Sequence, residues 1–105
     1  MANTDSDKVE CRTPTQGRKG TTQIPRWKYE CIQRAILEAL EEAETGYIYF
    51  KHLNAAVEEA LTTNQLAKLG SLGWHVTTVK LNMEVEGEIV RVEGAKPQRL
   101  MKARL

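Results

Sequence analysis

The sequence predicts an α+β fold, and three observations carry that expectation. Apolar residues recur at helical spacing over 25–43, at Tyr29, Ile32, Ile36, Leu40 and Ala43. Two short runs, "GYIYF" at 46–50 and "EIVRV" at 88–92, are rich in aromatic and β-branched residues that fit a pleated surface. Between the helical and strand-like parts of the second half stands Gly87, placed where a helix stops and a strand begins.

Taken in order, residues 1–24 are rich in Thr, Asp, Gly, Lys and Gln, with Pro14, Gly17 and Gly20. Few of them are able to pack, so the reading is a flexible arm, partly docked at most. Residues 25–43 form the first helix. Pro25 suits its first position, where a missing N–H costs nothing. Leu37 and Ala39 widen the apolar face, Glu38, Glu41, Glu42 and Glu44 take the solvent side, and Gly46 ends it. "GYIYF" is a short strand. Leu53, Val57, Ala60 and Leu61 then give a second helix of about three turns, broken by Thr62, Thr63 and Asn64. Residues 65–74, with Gly70, Ser71 and Gly73, read as a loop holding one turn of helix.

Residues 75–86 are ambiguous. Val79, Leu81, Met83 and Val85 alternate, as in a half-buried strand of a β-meander. Val76, Val79 and Met83 also share one face of a helix that would end at Gly87, and this third helix is the preferred reading. After "EIVRV" comes the turn cluster "EGAKP", and "QRLMKARL" returns as a second, edge-like strand of a hairpin. The order helix, strand, helix, helix, strand, turn, strand is that of a winged helix: a three-helix core with a short strand and a C-terminal β-hairpin wing. Residues 25–105 make that domain, with 1–24 as its arm.

The stretch "GWHVTTVKLNMEVEGEI" together with "KPQRL" resembles a family of small uncharacterised bacterial proteins. Its members carry an aromatic residue, then Thr-Val-Lys/Gln-Leu, an acidic or amide residue, Leu/Met-Glu and a Gly, with Lys-Pro-x-Arg-Leu downstream. "TPTQGR" and "KYE" are similar to the family's N-terminal segment, so the resemblance spans residues 10–101. It implies a winged-helix-like fold and no particular activity. Asn82 stands where the family commonly shows Asp.

Composition excludes several function classes. A chain of 105 residues supports one domain. It has no apolar run near the roughly 20 residues that cross a membrane, and "MANTDSDKVE" is too polar for a signal peptide. A cytoplasmic location follows by default. Cys11, Cys31, His52 and His75 lie about twenty residues apart each time, unlike the close ligand pairs of zinc sites. No metal, cofactor or small-molecule substrate is inferred. Ser71, His75 and a glutamate lack the setting of a nucleophilic triad, with His75 read as a surface residue at a helix start, and "GSLG" is no phosphate loop. The protein is not expected to be an enzyme.

Charge is unevenly spread. Residues 26–61 carry four basic and seven acidic side chains, whereas 62–105 carry seven and four. Two binding readings compete, with a DNA-binding or transcription-regulatory role as the lead and a protein-interaction or self-association module as the alternative. In the first, the third helix lies in the major groove of duplex DNA. Thr77, Thr78, Lys80 and Asn82 then meet the bases, while Arg91, Lys96, Arg99 and Lys102 (with Arg104) touch phosphates. Such binding would be weak, non-specific and salt-sensitive, because it rests on a few phosphate contacts that release counterions; Glu84 and Glu86, which repel phosphate, argue against it. In the second, the helix's outer stripe, Trp74, Leu81 and Val85, contacts another protein or a second copy, since exposed apolar patches usually mark contacts. The plain structural role of the wing cations is to keep the hairpin edge solvated and unpaired with other edges. Either the arm, through Val9, Cys11 and Ile24, or a second molecule is expected to cover the stripe.

Overall fold

Four helices and two small antiparallel sheets make up an α+β structure. The structure is a computed structural model that describes residues 7–12, 22–92, 94 and 96–103. "TPTQGR" and Arg104 lie outside the described residues.

Helix α1 spans Arg26–Glu42 and buries Tyr29, Ile32, Ala35, Ile36 and Leu40, the face its periodicity predicts. Strand β3, Tyr47–Tyr49, leads straight into α2, Phe50–Ala60, which buries Leu53 and Val57. Thr62 and Thr63 do end α2, but they also start another helix, α3, Thr63–Leu69. The Thr62 hydroxyl accepts the Gln65 N–H at 3.0 Å, and the Gln65 side-chain oxygen accepts the Thr62 N–H at 2.9 Å. This reciprocal pair satisfies two N–H groups that the helix itself leaves open. Residues 65–74 are therefore mostly helical rather than a loop, and the helix count is four, not three.

Helix α4, Leu72–Val85, begins three residues before the expected start at 75. Its cap is the Ser71 hydroxyl, which accepts the Trp74 N–H at 3.2 Å. The helix reading of the alternating stretch holds. At its end Gly87 takes φ +80°. The Glu88 N–H donates to the Met83 carbonyl at 3.0 Å and the Gly87 N–H to the Glu84 carbonyl at 3.2 Å. These are the two bonds of a Schellman cap, which needs a left-handed residue at this point.

Strand β4, Ile89–Arg91, follows at once and pairs antiparallel with β5, Arg99–Lys102. β5 also pairs with β3, so the strand order is β3-β5-β4. β5 is thus the central strand and not an edge; the short strand after α1 closes over its free side. Cross-strand register places Ile48, Leu100 and Ile89 on the inner face against the helices. Tyr47, Tyr49, Arg99, Met101 and Val90 share the outer face.

The described parts of the N-terminal segment are paired strands rather than a loose arm. β1, Lys8–Cys11, runs antiparallel to β2, Thr22–Pro25, with Val9 opposite Ile24. Cys11 and Ile24 belong to the main core cluster. The core therefore continues across the division placed at residue 24.

Candidate interaction surfaces

Helix α4 sits against α1, α2 and β1, and that position decides what its side chains offer. Val76, Val79 and Met83 are fully buried, as their stripe predicts. Three polar residues go inside with them: His75, Lys80 and Asn82.

Lys80 is 2% exposed. Its Nζ lies 2.6 Å from Glu84 Oε2, an ion pair without hydrogen-bond alignment, and 4.6 Å from the centre of the Phe50 ring. Glu84 is shared, because its other oxygen accepts the Arg91 Nε–H at 3.0 Å. A lysine ammonium is kept inside only when paired, and here a carboxylate and a ring face both compensate it. Asn82 is 3% exposed. Its amide donates to the Tyr29 hydroxyl at 2.8 Å, and its carbonyl accepts the Arg12 N–H at 2.9 Å. It joins α4 to α1 and to the end of β1. Neither residue is presented to a base edge, which corrects their assignment as nucleic-acid contacts.

His75 is buried too, not on the surface. Its Nδ1 is 2.7 Å from the Ser71 carbonyl oxygen, and its ring meets Trp74 edge-on at 4.8 Å. Burial pushes its pKa below the usual 6.5, a shift opposed by the Ser71 carbonyl and assisted by nearby Lys28. The Ser71 hydroxyl is engaged with the Trp74 N–H and not with the imidazole, so the two do not form a nucleophile–base pair. Cys11 and Cys31 are free thiols, and burial raises Cys11 to about 11, far from a reactive thiolate. Among the described residues no group of three or more His, Cys, Asp or Glu is placed to hold a metal ion. The cleft between α1 and α2, about 480 Å³, is lined by Ile48, alanines and three glutamates, Glu38, Glu42 and Glu59. No described helix is long and apolar enough to cross a membrane.

The remaining predicted nucleic-acid residues do not converge. Thr77 is exposed, while the Thr78 hydroxyl donates to the Trp74 carbonyl at 2.8 Å. Arg91 is paired with the Glu84 that also holds Lys80, and Lys102 with Glu41 at 2.8 Å across to α1. Lys96 is exposed in the turn before β5. Arg99 lies on the outer sheet face, its guanidinium carbon 4.9 Å from the Tyr47 ring centre and 5.3 Å from that of Tyr49. Sequence reasoning read "GYIYF" only as a strand and missed this cluster. The signal was present: residues two apart in a strand share a face.

The outer stripe of α4 is part covered. Leu81 is half-buried, but Trp74 is 48% and Val85 37% exposed. The N-terminal strands pack on the core side of α4, through Cys11 and the Arg12–Asn82 bond, and leave those two side chains in water.

No curated protein and no solved structure matches the chain. A family model described as a family of unknown function, DUF6958, matches residues 8–100, from the first strand into the last. The chain belongs to that family.

Proposed function

We propose that this chain is a winged-helix-like interaction module that self-associates through the outer stripe of α4. The observation that carries the reading is the division of α4. Trp74 and Val85 remain exposed along one uncharged stripe with Thr78 and Leu81, while Lys80 and Asn82 are turned inward. A helix reading the major groove needs Arg, Lys, Asn or Gln at its surface. This one offers water an indole, two aliphatic side chains, two threonines and Glu86.

The winged-helix comparison is supported by the order α1, β3, α2, α3, α4, then the β4–β5 hairpin, and by the sheet order β3-β5-β4. The added helix α3 departs from the three-helix expectation. Self-association, rather than capture of an unlike protein, is favoured because an uncharged stripe meets its own symmetric copy without like-charge repulsion. Hiding a Leu and a Val is worth about 1.5–3 kcal/mol each, and a Trp anchors many interfaces.

Light scattering over a range of concentrations tests this. The full chain is expected to reach twice its monomer mass, and Leu81→Lys to return it to monomer. A chain that stays monomeric at every concentration would remove the reading.

A further inference from the structure

The outer face of the three-stranded sheet differs from the rest of the surface in how its charge is held. We propose that this face binds single-stranded nucleic acid, with Tyr47 and Tyr49 stacking on bases and Arg99 and Lys51 meeting phosphates.

Three observations support the site. The first is aromatic. Tyr47 and Tyr49 point to the same side of β3, with ring centres 5.6 Å apart and planes at 81°. Both are half-exposed and do not stack on each other, and the Tyr49 ring is also approached by His52 at 5.8 Å with planes at 89°. The second is electrostatic. Arg91 is paired with Glu84, which it shares with Lys80, and Lys102 is paired with Glu41. Arg99 instead lies over the two tyrosine rings, and among the described residues its side chain has no carboxylate or hydrogen-bond acceptor. Stacking on a ring does not neutralise a guanidinium; it fixes the plane, and because the Nε is shielded the terminal nitrogens are the ones to meet an acceptor. Lys51 repeats the arrangement, 5.9 Å from the Tyr49 ring centre and paired with no carboxylate among the described residues. The third is composition. β3, β4 and β5 contain no Asp or Glu, whereas the face of α1 that looks at water is lined with glutamate.

Exposed rings beside uncompensated cations on an acid-free sheet match a polyanion that has flat faces to stack. Single strands supply both features; a duplex hides its base faces. An acidic peptide supplies only the charge. The site is separate from the α4 stripe and does not rest on self-association.

Fluorescence anisotropy of a labelled oligothymidylate with the full chain is the test. Binding should weaken with salt with a log–log slope of about −1.4, from two phosphate contacts at about −0.7 each. Tyr49→Leu should weaken binding about tenfold or more without changing the slope, because it removes a stack and no charge. Tyr49→Phe should retain binding. Arg99→Gln should weaken binding and lower the slope by about 0.7. Arg91→Gln, whose side chain lies on the inner face of the sheet opposite Leu100, should leave both unchanged. Amide shift perturbations on the unmodified chain give an answer that does not depend on the variants folding: they should gather at 47–52 and 99–101. Absence of binding, equal affinity for a duplex of the same length, displacement by polyglutamate as effective as by unlabelled oligonucleotide, or perturbations centred on α4 would each overturn the proposal.

Discussion

Helices α1 and α4 pack against each other, yet they face water in opposite ways. α1 shows the solvent a row of glutamates and sends one polar group inward, the Tyr29 hydroxyl that meets Asn82. α4 takes His75, Lys80 and Asn82 inside and leaves Trp74 and Val85 outside. Both helices have neighbours on several sides, so the difference lies in their residues: α1 repeats its apolar side chains on one face, whereas α4 places Lys80 and Asn82 among its inward positions. Any polar group caught there must find a partner, because an unpaired one costs about 1–3 kcal/mol.

The difference should be largest in response to truncation of polar residues. Lys80→Ala removes one of the two cations beside the part-buried Glu84 and is expected to destabilise the fold by about 3 kcal/mol. Glu38→Ala on the outer side of α1 should stay within about 0.5 kcal/mol. Urea unfolding reads both, and equal effects would erase the distinction between the helices. Asn82→Ala comes next, at about 2 kcal/mol, because it strands the Tyr29 hydroxyl and the Arg12 N–H together. Combining it with Tyr29→Phe should give less than the sum of the single effects, since the two share one hydrogen bond. Additive losses would show that the bond contributes nothing.

Two smaller effects sharpen the picture of how α4 is held at its ends. A Cβ at Gly87 meets no atom within 4 Å, so Gly87→Val strains only the left-handed backbone, by about 1–2 kcal/mol. Gly87→Asn should recover part of that loss; a clash would not be relieved in this way. At the other end, His75 has its pKa lowered in the folded chain by burial. The unfolded chain therefore takes up the proton first. The contribution is fully present above the unfolded value of 6.5 and is lost as pH falls below it toward the lower folded value. Urea midpoints measured from pH 7 downward should decline, and His75→Gln should make that decline shallower.

How much of this was legible in the residues follows from the same contrast. The face of α1 was readable because its apolar residues repeat on one side. So was the hairpin, because Gly87 and the "EGAKP" turn punctuate it. The capping pair of Thr62 and Gln65 was also written in the sequence, but three polar residues in a row read as a break rather than a start. The inward turn of Lys80 and Asn82 was not legible. Their partners Phe50, Tyr29 and Arg12 are brought in by tertiary packing, and Asn82 and the Arg12 amide are 70 residues apart. The N-terminal strands were hidden for a similar reason: four-residue strands amid charged neighbours carry too little periodicity to stand out. Of the binding residues, Trp74 and Val85 were placed outward correctly from angular spacing alone. The Tyr47–Arg99 cluster needed the β3–β5 pairing, which no local pattern encodes.

The inward turn of α4's polar residues is the point on which the whole account depends, and lysine reactivity tests it most directly. Brief acetylation of the native chain followed by mass spectrometry compares the lysines under one condition. Lys51 and Lys96, both exposed, should label readily, and Lys80, with its Nζ between Glu84 and the Phe50 ring, should stay unmodified until the chain unfolds. Labelling of Lys80 at the rate of Lys51 and Lys96 would put its ammonium in water, contradict the division of α4, and restore that helix as a surface able to meet nucleic acid.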